Sequence, residues 1–439
     1  MQYALWCHAH VAEHGRVAIF ARKTQDTYAA ILGTLISGRS YVPLHPEHPQ
    51  ERWQRMLDLA EVRHGIVPDG DREIVQGINI LWCSDPGESR PIEMVAYEAM
   101  EAYVMFTSGS TGWPKGVPVG RAQLAAYLQH QLQVFDLRPI DRCTQLFALT
   151  FDLSVHDLFM CWASGACLCV PPDDPLLWPK FTRQEEITIW FSVPSVVDLM
   201  QRMRALRPST FPSVRLSFFC GEALSVQQID PWKSAAPGTR VINLYGPTEA
   251  TVAITAHEVD VPDRSIPIGR VFPGHETYIQ DENGAMTFTG EGELIVAGPQ
   301  VNSSYLKDPI ATGKAFFSID GMNAYRTGDR VRMDENGLIH FLGRIDDQVK
   351  IQGHRVEPQE IDAVIHHGTG SISCTIAVEQ NGLKRLVTFM EDQADEVELF
   401  ALLQRELPAY MIPDRIVRIE QFPYNAHGKL DRRALASRL

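Results

Sequence analysis

AYVMFTSGSTGWPKGVPV, residues 102–119, runs an apolar stretch of β-branched and aromatic side chains directly into glycines, hydroxyls and one lysine. The first half predicts a strand. The second half predicts a loop that can cradle phosphate, because glycine lets the backbone approach closely while hydroxyls and amides donate hydrogen bonds. The lysine arrives as Trp-Pro-Lys-Gly, without the GxxxxGK[ST] spacing, so the usual P-loop is excluded. By composition alone the loop also fits a surface turn.

Outward from this stretch the same pattern recurs. RVAIF (16–20), GIVP (65–68), ITIWFSVPS (187–195), RLSFFCGE (215–222) and RVINLYGP (240–247) are short strand-like runs ending in Gly, Pro or Ser. Amphipathic stretches such as TYAAILGTLISG (27–38) and SVVDLMQRMRAL (195–206) lie between them at helical spacing. Alternation of strand and helix predicts an α/β fold with largely parallel sheets, whose strand ends form the binding crevice. From about residue 256 the runs become closely spaced strands joined by DENG turns, and a tail with α+β character follows GRIDDQVKIQGHRVEP (343–358). The expected organisation is a large N-terminal core over 1–345, with a β-rich lobe at about 256–345, and a small mobile C-terminal domain over 346–439.

Bulk properties exclude several function classes. A net charge of -14 and the lack of a long Lys/Arg cluster leave no electrostatic footprint for a nucleic-acid partner. The eight cysteines show no CxxC pair or zinc spacing, and they read as reduced thiols of a cytoplasmic protein. The N-terminus lacks a secretory pattern and no apolar run approaches membrane-spanning length, so no membrane association is expected.

Several residues carry candidate chemistry on their own. Tyr245 could stack on a purine, and Glu249, beside Thr248, is a hard oxygen ligand suited to Mg²⁺ near phosphates; a plain strand-to-turn corner would read the same. Asp329 could accept ribose hydroxyls beside the fixed charge of Arg344, although a surface ion pair has the same sequence. Asp152, in FDLSVHDLF (151–159), sits among apolar residues, where it either meets a cationic partner or caps the following helix. Lys429, in a Gly-flanked turn, is by composition a solvated lysine.

Taken together, FTSGSTGWPKG (106–116), YVPLHPEHPQER (41–52), NLYGPTEAT (243–251), YRTGDRV (325–331), GRIDDQVKIQGHRVEP and NAHGKLDRRAL (425–435) resemble, in order and over nearly the whole chain, the adenylate-forming enzymes. That group includes acyl-CoA synthetases, luciferases and peptide-synthetase adenylation domains. The resemblance implies ATP as substrate with Mg²⁺. It places Thr107, Ser108, Gly109, Ser110, Thr111, Gly112 and Lys115 on the pyrophosphate side. It places Asn243 and Tyr245 at adenine with Gly246 beside them, Thr248 and Glu249 in catalysis with Glu249 at the metal, and Asp329 and Arg344 at ribose. Lys429 becomes the lysine that stabilises charge on the α-phosphate, and Asp346 the hinge about which the tail lobe turns between two half-reactions.

The same resemblance gives Asp152 the α-ammonium of an amino acid. The side-chain pocket it implies comprises Leu153, His156, Phe191, Phe218, Cys220, Leu244, Val252 and Ala253. His156 is either a substrate contact or a satisfied core histidine. The expected reaction is activation of a small neutral amino acid, alanine-like or proline-like, as aminoacyl-AMP. Transfer to the phosphopantetheine thiol of a separate carrier protein follows, with secondary metabolism the preferred setting and cell-wall D-alanylation the alternative. The motifs look most like D-alanine:carrier protein ligases. The alternatives are an acyl-CoA synthetase and a nucleotide-binding scaffold without turnover. The chain also starts later than such relatives usually do, so its first sheet is expected to close differently.

Overall fold

In the computed structural model, which describes residues 1–68, 70–87, 101–109, 113–260, 265–351, 353–380, 383–391, 395–423, 430 and 432–439, the opening stretch lies at the edge of a six-stranded sheet. The strand order is Leu81–Cys83, His64–Ile66, Arg16–Phe20, Ser40–Leu44, Glu101–Thr107, Lys115–Gly120. Neighbours are parallel except the last pair, which is antiparallel and sets Thr107 opposite Lys115. The phosphate-loop segment thus joins two paired strands and is held at both ends. Side chains of these strands alternate between two cores: Ala18, Phe20, Val42, Leu44 and Val104 pack with Trp53, Met56 and Leu57 of the helix Gln50–Leu59. Val17, Ile19, Tyr41, Tyr103 and Met105 face the opposite core. Burial on both faces is why these strands read as nearly continuous apolar runs.

The second sheet is ordered Arg270–Val271, Thr255–Glu258, Arg240–Tyr245, Leu216–Phe219, Ile189–Ser192, Arg142–Thr144, Cys167–Cys169. It is parallel from Arg240–Tyr245 onward and antiparallel at the first two strands. Phe191, Phe218, Ile242 and Leu244 join Val17, Ile19 and Met105 in one cluster, so the two sheets share a core. The separate β-rich sheet begins at Glu276–Gln280. The strand Thr255–Glu258, expected to open that lobe near 256, instead extends the parallel sheet because its backbone pairs with Arg240–Tyr245. In both DENG turns the first Asp accepts from the backbone amides two and four residues ahead, which explains why each closes a hairpin.

After the strand Ile339–Arg344 comes the hairpin Val349–Ile351/His354–Val356. The helices Pro358–Thr369 and Glu396–Glu406 follow, with a three-stranded sheet of Ser373–Gln380, Leu383–Met390 and Arg415–Arg418. Ile351, Val356, Ile361, Ile365, Leu399 and Leu403 form a core of their own. This α/β architecture, a large region with parallel-rich sheets plus a smaller C-terminal unit, is the expected fold class. The contacts between the C-terminal unit and the larger region include the ion pairs Arg52–Glu360 at 2.8 Å and Arg55–Glu406 at 2.5 Å and the ring contact Phe151–His354 at 4.5 Å. Such an interface suits units that move relative to one another.

A candidate active site at the meeting of three sheets

The strand ends converge on one cleft. Thr107 and Ser108 come from the end of a first-sheet strand, Cys220 and Tyr245 from strand ends of the second sheet, Asp152 from the start of the helix Leu153–Ser164, Asp329 and Arg344 from the third sheet, and Lys350, Arg355 and Tyr410 from the C-terminal unit. One wall is a network of charge and hydroxyl. The Tyr245 hydroxyl donates to the Asp329 carboxylate, and Arg344 Nη1 donates to Asp329 Oδ1 at 2.9 Å and to the Thr327 carbonyl at 2.7 Å. The rest of the Arg344 fork goes to Asp346, Nε at 2.8 Å and Nη2 at 2.5 Å. Burial, reinforced by Asp329, pushes the Tyr245 hydroxyl well above its usual range and keeps it a donor. The residue expected at the hinge is thus tied through one guanidinium to the residue expected at ribose.

Asp152 occupies the N-cap position of the helix Leu153–Ser164 yet makes no side-chain capping bond. Burial raises its carboxyl from 3.8 to about 6, against a hydrogen bond from Thr248, the Leu153 amide and the charge of Lys350. Among the described residues it forms no ion pair, which leaves a half-buried carboxylate facing the cleft beside Cys220 and Gly221. The Cys220 thiol is pushed up to about 12 by burial, so it is a packing group and not a nucleophile.

Only part of the expected side-chain pocket opens to this cleft. Leu153 and Cys220 line it, whereas His156, Phe191, Phe218, Leu244, Val252 and Ala253 are buried behind it. His156 is 2% exposed, shares a 2.6 Å hydrogen bond between its Nδ1 and the Tyr127 hydroxyl, and packs its ring 4.6 Å from Phe191 and 4.8 Å from Phe218. Burial lowers it to about 3, so it stays neutral. Of its two readings, the satisfied core histidine is the one this geometry provides. Asn243 likewise turns away from the cleft, donating its amide to the Pro267 carbonyl at 2.7 Å.

On the phosphate side, Thr107 Oγ1 is buried without a partner among the described residues, a free hydroxyl on the cleft wall. Gly109 is needed for close approach: a Cβ there would stand 1.9 Å from the Trp113 carbonyl oxygen. The C-terminal unit already reaches this loop. Ser108 Oγ donates to the Arg355 carbonyl at 2.9 Å, and the Gly109 amide donates to Glu360 Oε2 at 3.0 Å. Glu249, fully buried, is held by Arg355 Nη1 at 3.1 and 2.9 Å and by the Tyr305 hydroxyl at 2.7 Å. Burial alone would raise its carboxyl, but Arg355 and Tyr305 outweigh that and hold it below the ordinary value. Lys115 Nζ lies over the Tyr305 ring, 5.4 Å from its centre.

No group of three or more metal-ligating side chains occurs among the described residues. A single carboxylate fits Mg²⁺ only in the way that cation is usually met on nucleotides, with phosphates supplying most ligands. With Arg355 in place, both Glu249 oxygens are already engaged by a cation. Ser110, Thr111, Gly112 and Lys429 lie outside the described residues.

The sequence reading missed Arg355, Tyr305, Glu360 and Gln300. The first lies inside GRIDDQVKIQGHRVEP, where a buried partner for Glu249 could have been sought. Gln300 has no local signal: its amide bonds the carbonyls of Ala250, Thr251 and Ala253. It thereby holds Thr251 (φ 56°) and Val252 (φ 70°), two β-branched residues in left-handed conformation.

Hydroxyls at a strand end, a Tyr–Asp–Arg wall and a buried acid thus meet in one cleft. The AMP-binding enzyme family matches residues 3–306, and the chain belongs to it. It is 31% identical to an L-proline–[L-prolyl-carrier protein] ligase of Pseudomonas fluorescens, over 99% of this chain and 91% of that protein. It is 35% identical to part of tyrocidine synthase 3 of Brevibacillus parabrevis, covering 97% of this chain but spanning 7% of that relative's length. The structure is similar to that of the Vibrio cholerae adenylation domain AlmE in complex with glycyl-adenosine-5'-phosphate. There the TM-score is 0.88 at 32% identity, covering 100% of this chain and 91% of that one. No described helix is long and apolar enough to cross a membrane.

Proposed function

We propose that this chain activates a very small neutral amino acid with MgATP, forming aminoacyl-AMP and pyrophosphate, and passes the acyl group to the phosphopantetheine thiol of a carrier protein. The observation that carries the reading is Asp152: a half-buried acid without an ion pair among the described residues, in the cleft that also holds Tyr245, Asp329 and Arg344. An α-ammonium group would supply the direct ion-pair partner that Lys350, which acts on Asp152 only through its charge, does not. Asp329 is suited to accept ribose hydroxyls, with Arg344 fixing its orientation. The free Thr107 hydroxyl suits a phosphate oxygen.

The aromatic block behind Asp152 supports a narrower substrate class than alanine or proline. Tyr127, His156, Phe191 and Phe218 fill the space that a side chain would need, which favours glycine first and alanine second. The catalytic step is attack of the substrate carboxylate on the α-phosphorus, for which Lys429 is the proposed charge stabiliser. Glu249, once freed of Arg355, would be the protein's ligand to Mg²⁺, whose charge would neutralise the phosphates. Asp346 is the proposed hinge, at the start of the unit 346–439. Trapping the acyl-adenylate with hydroxylamine tests this reading: hydroxamate from glycine or alanine supports it, and hydroxamate only from fatty or aryl acids refutes it.

A further inference from the structure

The edge of the second sheet carries two sulfur atoms side by side. The strand Cys167–Cys169 stands last in that sheet and, among the described residues, pairs only with Arg142–Thr144. Side chains two apart share one face of a strand, so Cys167 and Cys169 project together while Leu168 packs against the core on the other face. Cys169 Sγ lies 3.9 Å from Cys167 Sγ and 3.7 Å from the Cys167 carbonyl oxygen. The pair runs from solvent into the protein: Cys167 is exposed, the other seven cysteines are buried, and Cys169 joins Trp190 and Phe219 in a core cluster. Arg142, opposite Cys167 in the register, brings its positive charge to both thiols. Burial, with Cys167 adding to it, pushes the Cys169 thiol up to about 12, so Cys169 stays protonated behind the sulfur that meets solvent.

We infer that Cys167 and Cys169 form a reversible dithiol–disulfide site, oxidised by a peroxide at Cys167 and closed by Cys169, and that closure loosens the segment 145–151 leading to Asp152. The Cys167 thiolate attacks one peroxide oxygen; the O–O bond breaks, the other oxygen leaves as hydroxide and takes a proton to become water, and Cys167 becomes a sulfenic acid. The Cys169 sulfur then attacks the sulfenic sulfur, the S–O bond breaks as the S–S bond forms, and the departing hydroxide takes the Cys169 proton as a second water. Two electrons pass from the thiols to the peroxide, and a dithiol reductant returns them. Two residues of strand span about 6.4 to 6.8 Å, the upper end of the Cα separation that a disulfide bridges, so closure bends the backbone. A bridge strained in this way is readily reduced again. The bend falls on a hydrogen bond: the Cys169 carbonyl accepts the Gln145 amide at 3.0 Å. Gln145 heads the segment whose first two carbonyls also take Lys23 Nζ, at 3.4 and 2.7 Å, and whose last residue, Phe151, precedes Asp152.

The test is peptide mass spectrometry of the full chain after stoichiometric hydrogen peroxide, paired with hydrogen exchange of the segment 145–151. The peptide carrying both cysteines should lose two hydrogen atoms and regain them with dithiothreitol, and exchange in 145–151 should be faster in the oxidised chain and slow again on reduction. Phenylarsine oxide, which bridges close thiols, should protect the pair in the unsubstituted chain. Cys169→Ser should stop at the Cys167 sulfenic acid, giving about tenfold more dimedone label than the unsubstituted chain. Cys167→Ser should leave Cys169 unoxidised. A sulfinic acid in place of the bridge, a bridge to another cysteine or to a second chain, failure of phenylarsine oxide to protect, or unchanged exchange in the oxidised chain overturns the inference.

Discussion

Replacing Asp152 by Asn is expected to stabilise the free protein and disable it at once. The rise of the carboxyl from 3.8 to about 6 corresponds to about 3 kcal/mol of work against its charged form. Because the folded value lies above the unfolded one, this penalty is absent below 3.8, builds between 3.8 and about 6, and is fully present above that. Asp152→Asn should therefore raise the unfolding midpoint in urea above the folded value and leave it nearly unchanged below the unfolded one. Activity moves the other way. Only the carboxylate form pairs with an ammonium group, so kcat/KM for the amino acid should fall about tenfold per pH unit below about 6 in the unsubstituted enzyme. Loss of the buried pair should cost about 3 to 5 kcal/mol, or at least about 10²-fold in kcat/KM, and should flatten the acid limb. The assay is adenylate formation across pH with matched denaturant titrations. An Asn variant with unaltered kcat/KM and unaltered stability would refute the reasoning.

Phe218→Ala opens the block behind Cys220; it should cost about 3 to 5 kcal/mol of stability in denaturant titrations and admit larger side chains in a substrate screen. Tyr127→Phe deletes the partner of His156 Nδ1 and should cost about 1 to 3 kcal/mol, read by the same titration, without widening substrate choice. Asp329→Ala should weaken ATP binding by about 10- to 100-fold in calorimetry, the equivalent of a charge-assisted hydrogen bond. Lys429→Ala should abolish adenylate formation while leaving thioester formation from a supplied aminoacyl-AMP largely intact, as followed by mass spectrometry of the carrier protein.

The architecture was legible where a single period governed the residues. RVAIF and AYVMFTS are buried on both faces and read as strands; TYAAILGTLISG and SVVDLMQRMRAL carry apolar residues at helical spacing and read as helices. The run near 256 misled because an antiparallel strand added to a parallel sheet has the same local composition as one opening a new sheet; only its partner distinguishes them. In the site, Asp152, Tyr245, Asp329 and Arg344 were candidates from their chemistry with plain alternatives beside each, and the family resemblance singled them out; the structure brings the four to one cleft. Motif position also pointed to His156, Phe191 and Phe218; that their rings pack against one another depends on distant parts of the chain, which no local spacing encodes. Glu249 was read as open to a cation. That Arg355 from the C-terminal unit occupies it follows from how two units meet, which no local spacing encodes.

The central claim is that Asp152 selects the ammonium of a very small amino acid for adenylation. ATP–pyrophosphate exchange, measured over glycine and the L- and D-amino acids together with fatty and aryl acids, tests it most directly. The account predicts exchange with glycine or alanine, abolished in Asp152→Asn, and none with acids that lack an α-ammonium group. Exchange driven by a fatty or aryl acid, or amino-acid-dependent exchange that survives loss of the Asp152 carboxylate, would contradict it.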